Sequence, residues 1–143
     1  MIGTMKTSLA LLAAAAFLAG PLFAKDANPV APTAAAAVAK DVSPDEAQKL
    51  LKDNPKLVVL DVRTPEEYAA GHIAGAKNID FTAPDFATKV EGLDKTTPYL
   101  VHCAAGGRSG KTLELIKEKG FVAIYHLNGG WKAWEKAGKP VEK

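Results

Sequence analysis

The stretch Val101 to Gly110, VHCAAGGRSG, gathers the chain's one cysteine, an adjacent glycine pair, an arginine and a serine. An unpaired cysteine is most often an inert core residue. Here the neighbours favour a nucleophile. Cys103 follows a short apolar run, and a helical pattern opens six residues later, with Ser109 expected as its cap. Gly106 and Gly107 let the intervening backbone curl tightly and approach a ligand. The amides of Ala104, Ala105, Gly106 and Gly107, with the helix start at Ser109, would then converge on one small concavity. Unpaired N–H groups and the helix dipole favour an anion there, and the same field lowers a thiol pKa. Arg108 adds a planar, permanent cation. A cation is unfavourable at a helix N-terminus, so its presence points to an anion as its partner.

A thiolate in an anion cradle suits covalent transfer in two half-reactions. The thiolate attacks the outer sulfur of a small donor such as thiosulfate, the loop amides hold the resulting persulfide anion, and a thiol or cyanide acceptor removes the sulfur. A protein could also serve as sulfur acceptor. This chemistry needs no metal and no organic cofactor, and His72 and His126 show no metal-ligand spacing with another His or Cys. His102, the last residue of its strand, is expected to point away from the loop and to be structural rather than a general base.

The elements that must position Cys103 are legible nearby. Ser43-Pro44-Asp45-Glu46 and Thr64-Pro65-Glu66-Glu67 are two capping boxes, each with Pro at the first helical position. The first opens a helix carrying Ala47, Leu50 and Leu51 inward and ending at Asn54-Pro55; the second opens a short helix ending near Gly71. Leu57–Leu60, Tyr99–His102 and Val122–Leu127 are apolar runs without alternation, which predicts strands buried on both faces. Further helices are expected from about Pro84 to Val90, from Ser109 with Gly120 as its C′ residue, and after Asn128-Gly129-Gly130 with Trp131 and Trp134. Strands alternating with helices imply a three-layer α/β domain, a mainly parallel sheet with helices on both faces. Ligands in such sheets sit beyond the C-terminal strand edges, where both Asp61-Val62-Arg63 and the Cys103 loop fall.

Lys6 followed by the apolar run Leu9–Phe23 reads as a signal peptide over residues 1–24. The run is shorter than the ~18 residues of a spanning helix. Residues 25–40, rich in Ala with two prolines, read as a linker, and residues 41–143 as one domain. The expected location is the periplasm or the outside of the cell, with no membrane association after cleavage. The formal net charge is +2, with no basic run, so nucleic acid is not an expected partner.

From about Val42 to Trp134 the chain resembles a single rhodanese-like domain. Leu60-Asp61-Val62-Arg63 with Glu67-Tyr68, Gly71-His72-Ile73, Gly75-Ala76 and Asn78-Ile79 is similar to the family's first signature. Cys103 to Ser109 is similar to its active-site loop, and Gly120-Phe121, Leu127 and Gly129-Gly130-Trp131 to its ending. The resemblance implies a sulfurtransferase with Cys103 as catalytic nucleophile and Arg108 as the loop cation. It implies structural support from Asp61, Arg63 and Glu67, with Arg63 pairing with Glu67 or Asp61. Two-domain thiosulfate sulfurtransferases of this family often carry a cation where this chain has Ala105, so a persulfide, polysulfide or protein donor fits as well as thiosulfate. Two alternatives stand beside this reading. One is a catalytically weak binding module of the same fold. The other is a dual-specificity phosphatase, whose loop has five residues between Cys and Arg where this chain has four.

Overall fold

The computed structural model describes residues 38–143. The expected signal segment and residues 25–37 of the expected linker lie outside the described residues. The elements run β1 (Val38–Val42), α1 (Pro44–Asp53), β2 (Val58–Asp61), α2 (Pro65–Ala70), β3 (His72–Ile73), β4 (Lys77–Asn78), α3 (Phe86–Glu91), β5 (Tyr99–His102), α4 (Gly107–Ile116), β6 (Ala123–Leu127), α5 (Gly130–Lys136) and β7 (Val141–Glu142). Both capping boxes are closed. Ser43 and Glu46 exchange backbone N–H bonds at 2.9 and 3.3 Å, and Thr64 and Glu67 do so at 3.1 and 3.3 Å. Each box satisfies two amides that the first helical turn would leave unpaired.

Five strands form one sheet in the order β1-β6-β5-β2-β4, and every neighbouring pair is parallel. β3 and β7 form a separate antiparallel pair. Side chains alternate across the sheet, and the alternation sorts the core into two layers. Leu60, Val62, Tyr99, Val101, Cys103 and Ile124 pack with Phe86 and Val90 of α3 and Ile116 of α4. Val42, Val59, Leu100 and Leu127 pack with Ala47 of α1 and Trp134 of α5. The sheet is therefore covered on both faces, as its non-alternating strands predict. Among the described residues no helix is long and apolar enough to cross a membrane.

Three local expectations are corrected. The domain begins earlier than residue 41, because Val38, Ala39 and Lys40 pair with Ala123, Ile124 and Tyr125 as part of β1. Ser109 does not cap α4. Gly106, at φ 111°, is the N-cap, and its left-handed backbone starts the helix at Gly107. Gly120 is not the C′ residue of α4, which ends at Ile116 with Lys117 as its cap, and instead closes the turn that follows.

Candidate active site

β5 is an interior strand of the sheet, and Cys103 leaves its C-terminal end. Its side chain is 1% exposed and lies on the α4 face, while His102, one residue earlier, points to the opposite face. The loop folds back over the sulfur. The Gly106 amide donates to Sγ at 3.1 Å and the Ser109 hydroxyl donates to it at 3.3 Å. Burial pushes the Cys103 thiol up. The Ser109 hydroxyl and the Ser109, Gly106 and Ala105 amides outweigh it and hold the thiol below the usual cysteine range. Hydrogen bonds to the charged form favour the thiolate of Cys103 over the thiol.

The loop is held from below by α5. The Trp131 amide donates to the Cys103 carbonyl at 2.8 Å, and the Lys132 amide donates to the Ala104 carbonyl at 3.0 Å. Two amides of the first turn of α5 thus find acceptors in the Cys103 loop. This approach depends on Gly130, which has φ 57°. A Cβ there would stand 2.4 Å from the Cys103 oxygen.

The expected support residues divide into two pairs. Arg63 pairs with Asp61, as one of the two expected options. Its Nε donates to both carboxylate oxygens at 3.0 Å and its Nη2 donates to Oδ2 at 2.6 Å and to the Gly71 carbonyl at 2.7 Å. Both side chains are buried, and the guanidinium lies 4.5 Å from the centre of the Trp131 ring. The pair therefore links the end of β2, the end of α2 and the start of α5. Glu67 is not Arg63's partner. It accepts from Arg108 at 2.7 and 3.0 Å. Arg108 holds the Glu67 carboxyl down at about 2, and Glu67 in turn raises Arg108. The cation of the loop thus stands already paired at the rim, with side chains 27% and 36% exposed.

His102 is fully buried. Its Nδ1 faces the Cys103 carbonyl at 3.2 Å and its Nε2 stands 3.6 Å from Asp61 Oδ2. Burial keeps the ring neutral by lowering its pKa, against the opposing pull of Asp61. His126 was not among the expected site residues, yet its Nε2 lies 2.8 Å from Ser109 Oγ and its Nδ1 2.7 Å from Asp41 Oδ1. Strand alternation carries the signal for it. Ile124 packs on the α4 face, so His126, two residues on, shares that face with Cys103.

The chain is similar to known proteins. Residues 43–137 match the rhodanese-like domain family. The chain is 34% identical over 96 residues to thiosulfate sulfurtransferase GlpE of Ectopseudomonas mendocina, covering 66% of this chain and 84% of that protein. It is 36% identical over 93 residues to the chloroplastic thiosulfate sulfurtransferase 16 of Arabidopsis thaliana, covering 58% of this chain and 78% of that one. The crystal structure of a rhodanese-related protein from Thermoplasma volcanium superposes with a TM-score of 0.64 at 29% identity, covering 72% of this chain and 97% of that one. The chain belongs to the rhodanese-like domain family, and its class is that of the rhodanese-type sulfurtransferases.

Proposed function

We propose that the chain moves sulfane sulfur through a persulfide on Cys103. The observation that carries this reading is the buried Sγ, which receives the Gly106 amide and the Ser109 hydroxyl at the floor of a loop with four residues between Cys103 and Arg108. A thiolate there attacks the outer sulfur of the donor. The Sγ–S bond forms, the donor's S–S bond breaks, and the leaving group departs with the electron pair, as sulfite when the donor is thiosulfate. The terminal sulfur of the persulfide carries the negative charge, and the loop amides are the groups available to hold it. An acceptor thiolate or cyanide then takes that sulfur and regenerates the Cys103 thiolate. With Cys103 1% exposed, the cradle suits a single sulfur atom rather than a tetrahedral phosphate. A cleft bounded by Arg63, Glu67, Gly71, Ala104 and Trp131 opens beside the loop and gives an acceptor an approach.

Protein incubated with thiosulfate or a persulfide donor, freed of donor and weighed intact will gain the mass of one sulfur atom. Cyanide will remove it as thiocyanate, and Cys103→Ser will show neither event. Failure to take up sulfur from any donor would leave the binding-module reading; turnover of aryl phosphates at a comparable rate would favour the phosphatase. We also infer that the protein acts outside the cytoplasm; the support is the apolar run before Ala24, which has the character of a signal peptide. N-terminal sequencing of exported protein tests this, and an intact Met1 or Met5 in a membrane fraction would refute it.

A further inference from the structure

Behind Cys103 a continuous chain of hydrogen bonds runs to the edge of the sheet. Ser109 Oγ lies 3.3 Å from Sγ, 2.8 Å from His126 Nε2 and 3.1 Å from the Gly106 carbonyl. His126 Nδ1 lies 2.7 Å from Asp41 Oδ1. Three separate elements supply these groups: α4 gives Ser109, β6 gives His126 and β1 gives Asp41, which is paired in register with His126. Of the three, only Ser109 belongs to the Cys103 loop; His126 and Asp41 lie outside every motif that carries the family resemblance.

The donor and acceptor inventory restricts what this chain can be. An ionised carboxylate only accepts, so His126 Nδ1 carries a proton and donates it to Asp41. Ser109 has one hydroxyl proton. When that proton points to Sγ as a donor to the thiolate, Oγ presents a lone pair to His126, and Nε2 must be protonated as well. His126 is then an imidazolium. When Sγ is a thiol, the order reverses: S–H donates to Oγ, the hydroxyl donates to Nε2, and His126 is neutral. The two states contain the same number of protons. They interconvert when the Sγ proton passes to Oγ as the Ser109 proton passes to Nε2, with no net charge entering or leaving.

The geometry points to an Asp41–His126–Ser109 relay that takes the proton of Cys103 and holds it as an imidazolium while the thiolate reacts. The inference rests on the sulfur-transfer reading, which needs the thiolate, and adds where its proton goes. His126 is a positioning residue in this scheme, since it reaches Sγ only through Ser109. Asp41, with a side chain 75% exposed, orients the ring and fixes its Nδ1 proton. The other charged and titratable groups near Cys103 and on β1 have partners of their own: Lys40, beside Asp41, stands 3.8 Å from Glu46. Arg108 is bound by Glu67, and His102 lies across the sheet against Asp61.

The test reads the proton directly. The chain has three histidines, so the ring signals of His126 can be resolved by NMR and followed with pH in the wild type, in Cys103→Ala and in Ser109→Ala. Coupling between two titrating sites is reciprocal. His126 is expected to release its proton at a pH about one unit lower in Cys103→Ala, a tenfold loss of proton affinity. The thiolate absorbance of Cys103 is expected to appear at a pH higher by the same amount in His126→Gln. Ser109→Ala is expected to weaken both shifts. Identical His126 titrations in wild type and Cys103→Ala would overturn the relay. So would full coupling in Ser109→Ala, which would show two charges acting through space without a hydroxyl between them. Asp41→Asn, a change at an exposed side chain, supplies a variant whose fold is safe and is expected to reduce the coupling severalfold. No sulfur donor enters these measurements. Coupled titration without sulfur uptake would sink the transfer reading alone, and sulfur uptake without coupling would sink the relay alone.

Discussion

Replacing Gly130 with alanine adds one methyl group where the Cys103 loop already stands. The new Cβ would lie 2.4 Å from the Cys103 carbonyl oxygen and 3.0 Å from the carbonyl carbon and oxygen of Ala104. Ordinary contact begins at 3.4 Å, so loop and helix must part by about 1 Å. Backbone faces the methyl group, and no rotamer change relieves the clash. The parting stretches the two bonds from Trp131 and Lys132 into the loop, each worth about 1 kcal/mol net. The left-handed φ of 57° costs an alanine about 1 kcal/mol more. The whole effect is about 2–4 kcal/mol, in the range of an overpacked core site. For a domain near 100 residues that lowers Tm by roughly 8–30 °C. The displaced Sγ and its donors will slow sulfur uptake about 100-fold, the usual cost of a 1 Å misplacement. Gly138→Ala is the control. It has φ 65° but nothing within 4 Å of a new Cβ, so it will show the conformational cost alone, about 1 kcal/mol, with uptake unchanged. Thermal melting by circular dichroism and single-turnover uptake followed by intact mass measure both effects. A Gly130→Ala protein that melts with the Gly138→Ala control and takes up sulfur at the wild-type rate would refute the claim that α5 sets the loop.

Two further outcomes follow from the ion pairs. Arg63→Leu strands the fully buried Asp61 carboxylate and will cost about 3–5 kcal/mol in denaturant melts; the double change Asp61→Leu with Arg63→Leu will cost less than the single one. Glu67→Gln frees Arg108 and will lower the KM for thiosulfate about tenfold, while Arg108→Ala will raise it, since a charge-assisted contact to the donor is worth about 1.5–3 kcal/mol. Equal KM values across wild type and both variants would show that Arg108 serves the rim and not the donor. Because both side chains are partly solvated, the pair adds only about 1 kcal/mol of stability. Glu67 has its carboxyl lowered from 4.5 to about 2, so this contribution is full above pH 4.5 and is lost as pH falls through about 2. The stability difference between wild type and Glu67→Gln, measured against pH, will shrink over that window.

Local chemistry made much of the fold readable. Ser43 with Glu46 and Thr64 with Glu67 announce helix starts because the residues that cap are neighbours in sequence. Tyr99–His102 is legible because a strand buried on both faces cannot alternate. β1 was hidden in an Ala-rich stretch: it is an edge strand, VAKDV, with Ala39, Lys40 and Asp41 exposed, and little apolar pattern marks it. β3, β4 and β7 are two residues each and exist only through their partners. In the site, Cys103 and its loop were legible from glycine placement. Ser109 was misread as a cap because a serine before an apolar helical run usually is one, whereas here Gly106 takes that position and frees the hydroxyl for Sγ. The pairing of Glu67 with Arg108, 41 residues apart, has no sequence spacing that could announce it.

The sheet order sets a timetable for reactivity. β1 is the first described strand, and its partner among the described residues, β6, is among the last, inserted between β1 and β5. Asp41 and His126 are 85 residues apart, and contacts so distant in sequence form late in folding. The proposed Asp41–His126–Ser109 relay is therefore absent from a growing or partly folded chain. α4 must dock to bring Ser109 and its amides to the sulfur, and β6 must zip in before His126 can face Ser109. Until then Cys103 is an ordinary thiol, mostly protonated at neutral pH and slow to oxidise or to pair with another chain. On the proposed relay, full activation of the thiol waits for the completed sheet, so a molecule that misfolds or stalls lacks it.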